Sequence, residues 1–257
     1  MLSVSWLSVA PVKGLALSLR DELTLESYGA LENRRFHLRD EQGRFVNGLT
    51  RVRRSLFGIA AKWDSDTDTL ELTFPDGTVV SAPVELGESV TTDFYGRREP
   101  GRLVVGPWAA ELSAFAGREL RLVRTDEPGR AVDRGDGAVS IVSDESADEL
   151  ARQAGVDNAD VRRFRMLVGV AGGRPHEEDE WVGANVRVGE AVVRVHEQVA
   201  RCAITTKNPD TGEHDLDTLR VLKGYRGVRE GNHADFGVYG EVVAPGRVRV
   251  GDPVEPL

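Results

Sequence analysis

Short β-prone runs, each stopped by a Pro, Gly or Asp turn before it can become a long helix, are the feature that most narrows the folds open to this chain. Val4–Val12 opens as such a run. Arg35–Arg39 and Arg44–Val46 flank Asp40-Glu41-Gln42-Gly43, a turn that closes on glycine. Leu70–Phe74 and Val79–Val80 flank Pro75-Asp76-Gly77, where proline presets φ and glycine supplies a positive one. Asn185–Val188 and Ala191–Val195 meet across Gly189-Glu190, and Tyr239–Val243 and Arg247–Val250 across Pro245-Gly246. Leu103–Val105, Val139–Val142 and Phe164–Val170 read as further strands.

Three helices interrupt the strands. Pro107 suits a first turn, Trp108, Leu112 and Phe115 share one face, and Gly117 ends it. The second is capped by Ser143 or Ser146, the latter at reciprocal spacing to Glu149, and ends at Gly155. The third follows Asp215, turns Leu216, Leu219 and Leu222 inward, and stops at Gly227. The expected class is mainly β with a few helices (α+β), built as small barrels. The expected boundary near residue 124 gives an N-terminal β-barrel domain, 1–124, and a C-terminal one, 125–257.

A chain of 257 residues can bury its own core without staples. No apolar run reaches the length of a membrane-crossing helix. The opening MLSVSWLSVAPVKG has neither the basic start nor the small-residue cleavage site of a secretory leader. A net charge of -9 argues against a nucleic-acid partner. One cysteine forms no internal disulfide, which fits a reducing, cytoplasmic setting.

The chemistry concentrates in Arg201-Cys202-Ala203-Ile204-Thr205-Thr206 and the following Asn208-Pro209-Asp210-Thr211-Gly212 turn. An arginine beside the cysteine favours thiolate, the form that ligates metals and attacks electrophiles. The threonine hydroxyls, at the end of a strand, are able to donate to or accept from whatever the sulfur binds. Taken alone, a single cysteine is more often a small buried apolar residue. His176-Glu177-Glu178-Asp179-Glu180 reads as a solvated acidic loop, and Arg134-Gly135-Asp136 as a loop tripeptide. Cys202 with His196 and His214 lacks the second cysteine expected of a zinc set. No glycine-rich phosphate loop is present.

The cysteine segment resembles the signature of MOSC domains, named from the C-terminal domain of molybdenum cofactor sulfurase. Phe164-Arg165, Glu178-Asp179-Glu180-Trp181, Leu219–Arg226, Phe236-Gly237-Val238-Tyr239 and Val250-Gly251-Asp252-Pro253 extend the resemblance in the same order. Pro11-Val12-Lys13-Gly14-Leu15 and Gly29–Phe36 resemble the β-barrel domain that precedes MOSC in the amidoxime-reducing component and its bacterial relatives. Three departures stand out: Gly14 where serine is common, Asn33-Arg34 where Asp-Arg is common, and Met166-Leu167 in place of Pro-Asn.

The resemblance implies a molybdenum cofactor, Mo-pyranopterin, held between the two halves with Cys202 as metal ligand; soft sulfur suits such a metal. Lys13 and Arg34 would contact the pterin phosphate, Arg165 and Arg201 the pterin, and Ser143, Thr205 and Tyr239 would lie beside it. The implied activity is an oxidoreductase that removes oxygen from small N-hydroxylated compounds, with Cys202 at the catalytic centre. A single cysteine ligates no iron–sulfur cluster, so a ferredoxin or flavoprotein would donate electrons in trans. The alternative is a carrier of persulfide sulfur or of cofactor on Cys202. The family is also associated with pyridoxal phosphate binding.

Overall fold

The computed structural model describes residues 1–129, 138–229 and 231–257. Most of the polar loop expected over Glu127–Gly137, with its Arg134-Gly135-Asp136 tripeptide, lies outside these residues. Among the described residues the fold is mainly β with three α-helices, Trp108–Ala116 (α1), Asp144–Ala154 (α2) and Thr218–Arg226 (α3). No helix among the described residues is long and apolar enough to cross a membrane.

The two largest sets of apolar side chains each sit under their own sheets. One runs from Val12 to Leu122 and gathers Phe36, Trp63, Leu70, Leu72, Trp108 and Leu112. A six-stranded sheet with Glu85–Phe94 at one edge and Val12–Lys13 at the other, and a three-stranded sheet over Ala60–Pro83, enclose it. Helix α1 lies on this core as its spacing predicts: Trp108, Leu112 and Phe115 are buried, and Gly117 at φ 70 donates to Ser113 O. The Trp108 indole donates to Leu70 O at 3.1 Å, which satisfies its one polar atom.

The other core joins Val4, Leu7, Val9, Leu25 and Ala30 to Val139–Val254. Its eight-stranded sheet runs, by strand, Val254–Pro256, Asn185–Val188, Ala191–Arg201, Ala234–Ala244, Val139–Ser143, Val168–Ala171, Ser3–Val9, Ser18–Arg20. The sheet pairings therefore cross residue 124. Ser3–Val9 is a strand of the C-terminal sheet, paired with Val168–Ala171. Ser3 also bridges to Pro253, and Val254 N donates to Leu2 O at 3.0 Å, so the sheet's early and late strands meet. Helices α2 and α3 pack together over a third apolar cluster that holds Phe164, Met166, Val199, Leu222 and Phe236.

The hairpins expected at Asp40–Gly43, Pro75–Gly77 and Gly189-Glu190 form. The one expected at Pro245-Gly246 does not: Gly246–Arg249 pairs instead with Glu22–Leu25, where Val248 is fully buried. That pairing is non-local and leaves no local turn signature. A longer hairpin, Glu85–Phe94 with Arg97–Val105, turns on Tyr95-Gly96, and only its Leu103–Val105 end had a clear pattern. Phe164 and Arg165 precede their strand rather than open it. Asp160 at φ 39 caps a 3-10 turn, Val161–Phe164, and Arg165 itself sits at φ 56.

Burial holds one residue beneath the first core in a single protonation state. His37 is fully buried, its Nε2 lies 2.8 Å from Thr92 Oγ1, and its ring packs edge-on to Phe94. Desolvation, with the charges of Lys13 and Arg39, pushes its pKa down to about 3. The unfolded imidazole takes a proton below about 6.5 and the folded one does not, so the stability present above that pH is lost as pH falls toward 3. Urea unfolding at pH 5 should show wild type weaker than at pH 7 by about 2 kcal/mol more than His37→Gln shows. Equal losses in both proteins would refute it.

Candidate functional site

Cys202 stands where an eleven-residue strand, Ala191–Arg201, gives way to a single 3-10 turn, Ala203–Thr206. Its thiol is exposed. The turn hangs from its backbone: Thr205 N and Oγ1 donate to Cys202 O at 3.2 and 3.1 Å. Thr205 Oγ1 also lies 2.7 Å from Thr218 Oγ1 of α3, and Thr206 Oγ1 donates to Ala203 O. The two threonines are thus on a turn, not a strand end, and their hydroxyls pin the backbone that presents the thiol.

Arg163 fixes the same turn from beneath. It is 5% exposed, and its guanidinium donates to Thr205 O, Lys207 O and both oxygens of Asp215. Beyond it, Asn208 Oδ1 accepts from Asp210 N and Thr211 N, and Gly212 N returns to Asn208 O at 2.8 Å. Gly212 has φ 71, and a Cβ there would fall 1.9 Å from Ser55 Oγ of the other half. Only glycine lets this turn lie against that neighbour.

Cys202 opens on a cavity of about 440 Å³ between the two halves. Lys13, Arg34, Arg165 and Arg201 line it together with Thr205 and Tyr239. Among the described residues, no Asp or Glu joins that lining, although the chain as a whole carries a net charge of -9. Four cationic side chains brought to one cavity suit an anionic occupant. Lys13 is 8% exposed, with its ammonium over the stacked Phe45 and Phe94 rings at 5.4 and 5.5 Å. Arg34 Nη2 donates to Arg165 O at 3.2 Å, and Arg165 Nη2 to Leu15 O at 2.7 Å, so each half holds a cation of the other. Arg201 donates from Nε to Phe236 O at 2.8 Å, from Nη1 to Phe164 O, and from Nη2 to Met166 Sδ.

Backbone strain gathers here too. Of the seven described non-glycine residues with positive φ, three line the cavity: Arg34, Arg165 and Tyr95. Such conformations persist where the surroundings over-determine them, and they cluster at working sites. Gly14, the first departure noted above, lines the cavity at φ 93, a conformation that disfavours serine. Of the third departure, Met166 lines the cavity where proline is common, and Leu167, where asparagine is common, does not line it.

Ser143 does not line the cavity. It is the N-cap of α2, accepting from Ser146 N, while its hydroxyl donates to Glu178 at 3.0 Å. Ser146 is therefore inside the helix, not its cap. Glu178 is fully buried, accepts from both serines, and is pushed above the usual carboxylate range by that burial. Asp179 pairs with Arg226, and His176 Nε2 lies 3.1 Å from the Tyr225 hydroxyl. Within the segment read as a solvated acidic loop, Glu178 and Asp179 thus brace α2 and α3, while Glu180 stays exposed. The sequence reading missed Arg163 and Tyr95. Arg163 stands beside Phe164-Arg165, but a structural arginine has no pattern of its own.

The MOSC domain matches residues 109–255, more than half of the chain. Over 98% of its length the chain is 27% identical to mitochondrial amidoxime-reducing component 1 of Mus musculus, covering 78% of that protein. It is 37% identical to mitochondrial amidoxime reducing component 2 of Homo sapiens over 101 residues, 37% of this chain and 30% of that protein. The crystal structure of the YUAD protein from Bacillus subtilis superposes with a TM-score of 0.47 at 13% identity, covering 100% of this chain and 96% of that one. With a domain match of this extent, the chain belongs to the MOSC family.

Proposed function

We propose that this protein is an oxidoreductase that holds a molybdenum cofactor in the cavity beside Cys202 and acts on small N-hydroxylated compounds. The observation that carries the reading is an exposed cysteine on a cavity that four cationic side chains from both halves also line. That donor set fits a phosphorylated pterin bound to a soft metal: a thiolate for the metal, guanidinium and ammonium groups for the anion. When bound, the cofactor would supply two-electron redox chemistry at the metal.

The chain's own residues would do the rest. Cys202 would hold the metal from the end of a strand whose following turn is pinned by Thr205 and Arg163. Lys13 and Arg34 would bind the phosphate from the N-terminal half, and Arg165 and Arg201 would hold the pterin, with Tyr239 beside it. Arg201 keeps its place through Phe236 O and Phe164 O, so it enters the site pre-oriented. Because the residues come from both sides of the cavity, we also propose 1–124 and 125–257 as the functional halves of one site. The likeness to the amidoxime-reducing components supports the substrate class and an electron donor in trans, a ferredoxin or flavoprotein.

Protein purified from a host that makes the cofactor should carry close to one molybdenum and one pterin per chain. Content below about a tenth of that, where a retained cofactor should saturate its site, would overturn the reading. Cys202 bearing one extra sulfur atom by intact mass, without pterin fluorescence, would point to a persulfide carrier.

A further inference from the structure

One wall of the cavity is built differently from the cationic part and is not explained by holding an anion. Tyr95 is 78% exposed and Leu49 is 42% exposed, and both line the cavity with Phe45 and Asn47. An exposed aromatic is ordinary, but this one stands at a costly position. Tyr95 and Gly96 form the two-residue tip of the hairpin with φ 57 and 97. Turns of this kind favour Asn or Asp followed by Gly, because the first residue must enter the left-handed region. A tyrosine there gains little from burial and strains the backbone.

The ring is nonetheless held in place. Asn47 Nδ2 donates to the Tyr95 hydroxyl at 2.7 Å, and Asn47 Oδ1 accepts from Leu49 N at 2.9 Å. One amide thus ties the hairpin tip to the loop that carries Leu49. The Phe45 ring meets the Tyr95 ring edge-on at 6.2 Å between centroids. The result is an ordered aromatic face beside an aliphatic one, on the wall of the cavity that also holds Cys202.

We infer that Tyr95, with Leu49, is the specificity wall of the site: a platform for the flat apolar body of a substrate such as an aryl amidoxime. This rests on the function proposed above for the substrate's reactive end, while the platform itself requires only the cavity. A stacked or edge-on aromatic contact adds affinity beyond area alone, and its loss should weaken binding about fivefold. Small alkyl analogues do not reach such a face and gain nothing from it.

Tyr95→Asn gives a clean test, because asparagine suits the turn better than tyrosine does. Fluorine NMR titration of 4-fluorobenzamidoxime into the full chain, metal content measured and no electron donor present, reads the contact without turnover. The expected result is a Kd about fivefold weaker in Tyr95→Asn, with an equal or higher melting temperature, and near-native affinity in Tyr95→Phe. Equal affinity in wild type and Tyr95→Asn, or no binding of the probe to wild type, would overturn the platform. A protein without molybdenum that still loses aryl affinity in Tyr95→Asn would support the platform while refuting the function proposed above.

Discussion

Replacing Cys202 with alanine should strip molybdenum from the protein, to below about a tenth of the wild-type content, while barely changing its stability. The two halves of this expectation come from the same observation. The thiol is exposed at the strand end and faces the cavity, so removing it creates no buried void. Surface substitutions of this kind shift stability by no more than about 0.5 kcal/mol. The metal, by contrast, finds no second protein ligand set nearby: among the described residues no group of three or more His, Cys, Asp or Glu could hold one. Elemental analysis and a thermal melt on wild type and Cys202→Ala read both outcomes. Retained molybdenum in the variant would remove Cys202 from the metal site.

Replacing Arg163 with methionine should do the reverse, costing about 3 kcal/mol of stability and, as a consequence, several-fold in cofactor retention. The arginine's guanidinium is buried and serves the carbonyls of Thr205, Lys207 and Ala159 as well as Asp215. Methionine keeps the stem's packing but leaves those acceptors without their donor. Asp215 is partly solvated, which caps the penalty below that of a fully buried pair. The loosened groups belong to the turn immediately after Cys202, so the thiol loses its fixed aim. A urea midpoint that falls at unchanged slope would report the stability loss, and metal content after gel filtration the retention. An unshifted midpoint would show that the turn is held by Thr205 and Thr218 alone.

The local parts of this fold were legible from residues because local physics sets them. Gly117 and Gly155 end helices in the left-handed conformation, and Asp40–Gly43, Pro75–Gly77 and Gly189-Glu190 turn hairpins. What escaped is what distance in sequence hides. Gly246–Arg249 finds its partner at Glu22–Leu25, and no alternation in either segment names the other. Glu178 reads as one acid among several, and only its burial beside Ser143 and Ser146 separates it from them.

The candidate site divides the same way. Cys202, Lys13, Arg34, Arg165, Arg201, Thr205 and Tyr239 were named from motif-like runs, and all line one cavity. Ser143 was drawn in by its place at a helix start, yet its hydroxyl is committed to Glu178. Tyr95 sits in no run, and its significance lies in a backbone angle that a sequence does not print.

The strand Ser3–Val9 has a further consequence for how the molecule comes into being. Its partner strand lies so far along the chain that the Ser8 hydroxyl and Met166 O, which bond in the fold, are 158 residues apart. On a ribosome, this apolar strand emerges early with only the short Ser18–Arg20 strand to pair with, and waits for most of the chain before its ladder with Val168–Ala171 exists. The core from Val12 to Leu122 is complete well before that moment. Assembly is thus expected to proceed in two beats, with one edge of this strand unpaired in the interval between them and a demand for chaperone cover that lasts until the late strands arrive.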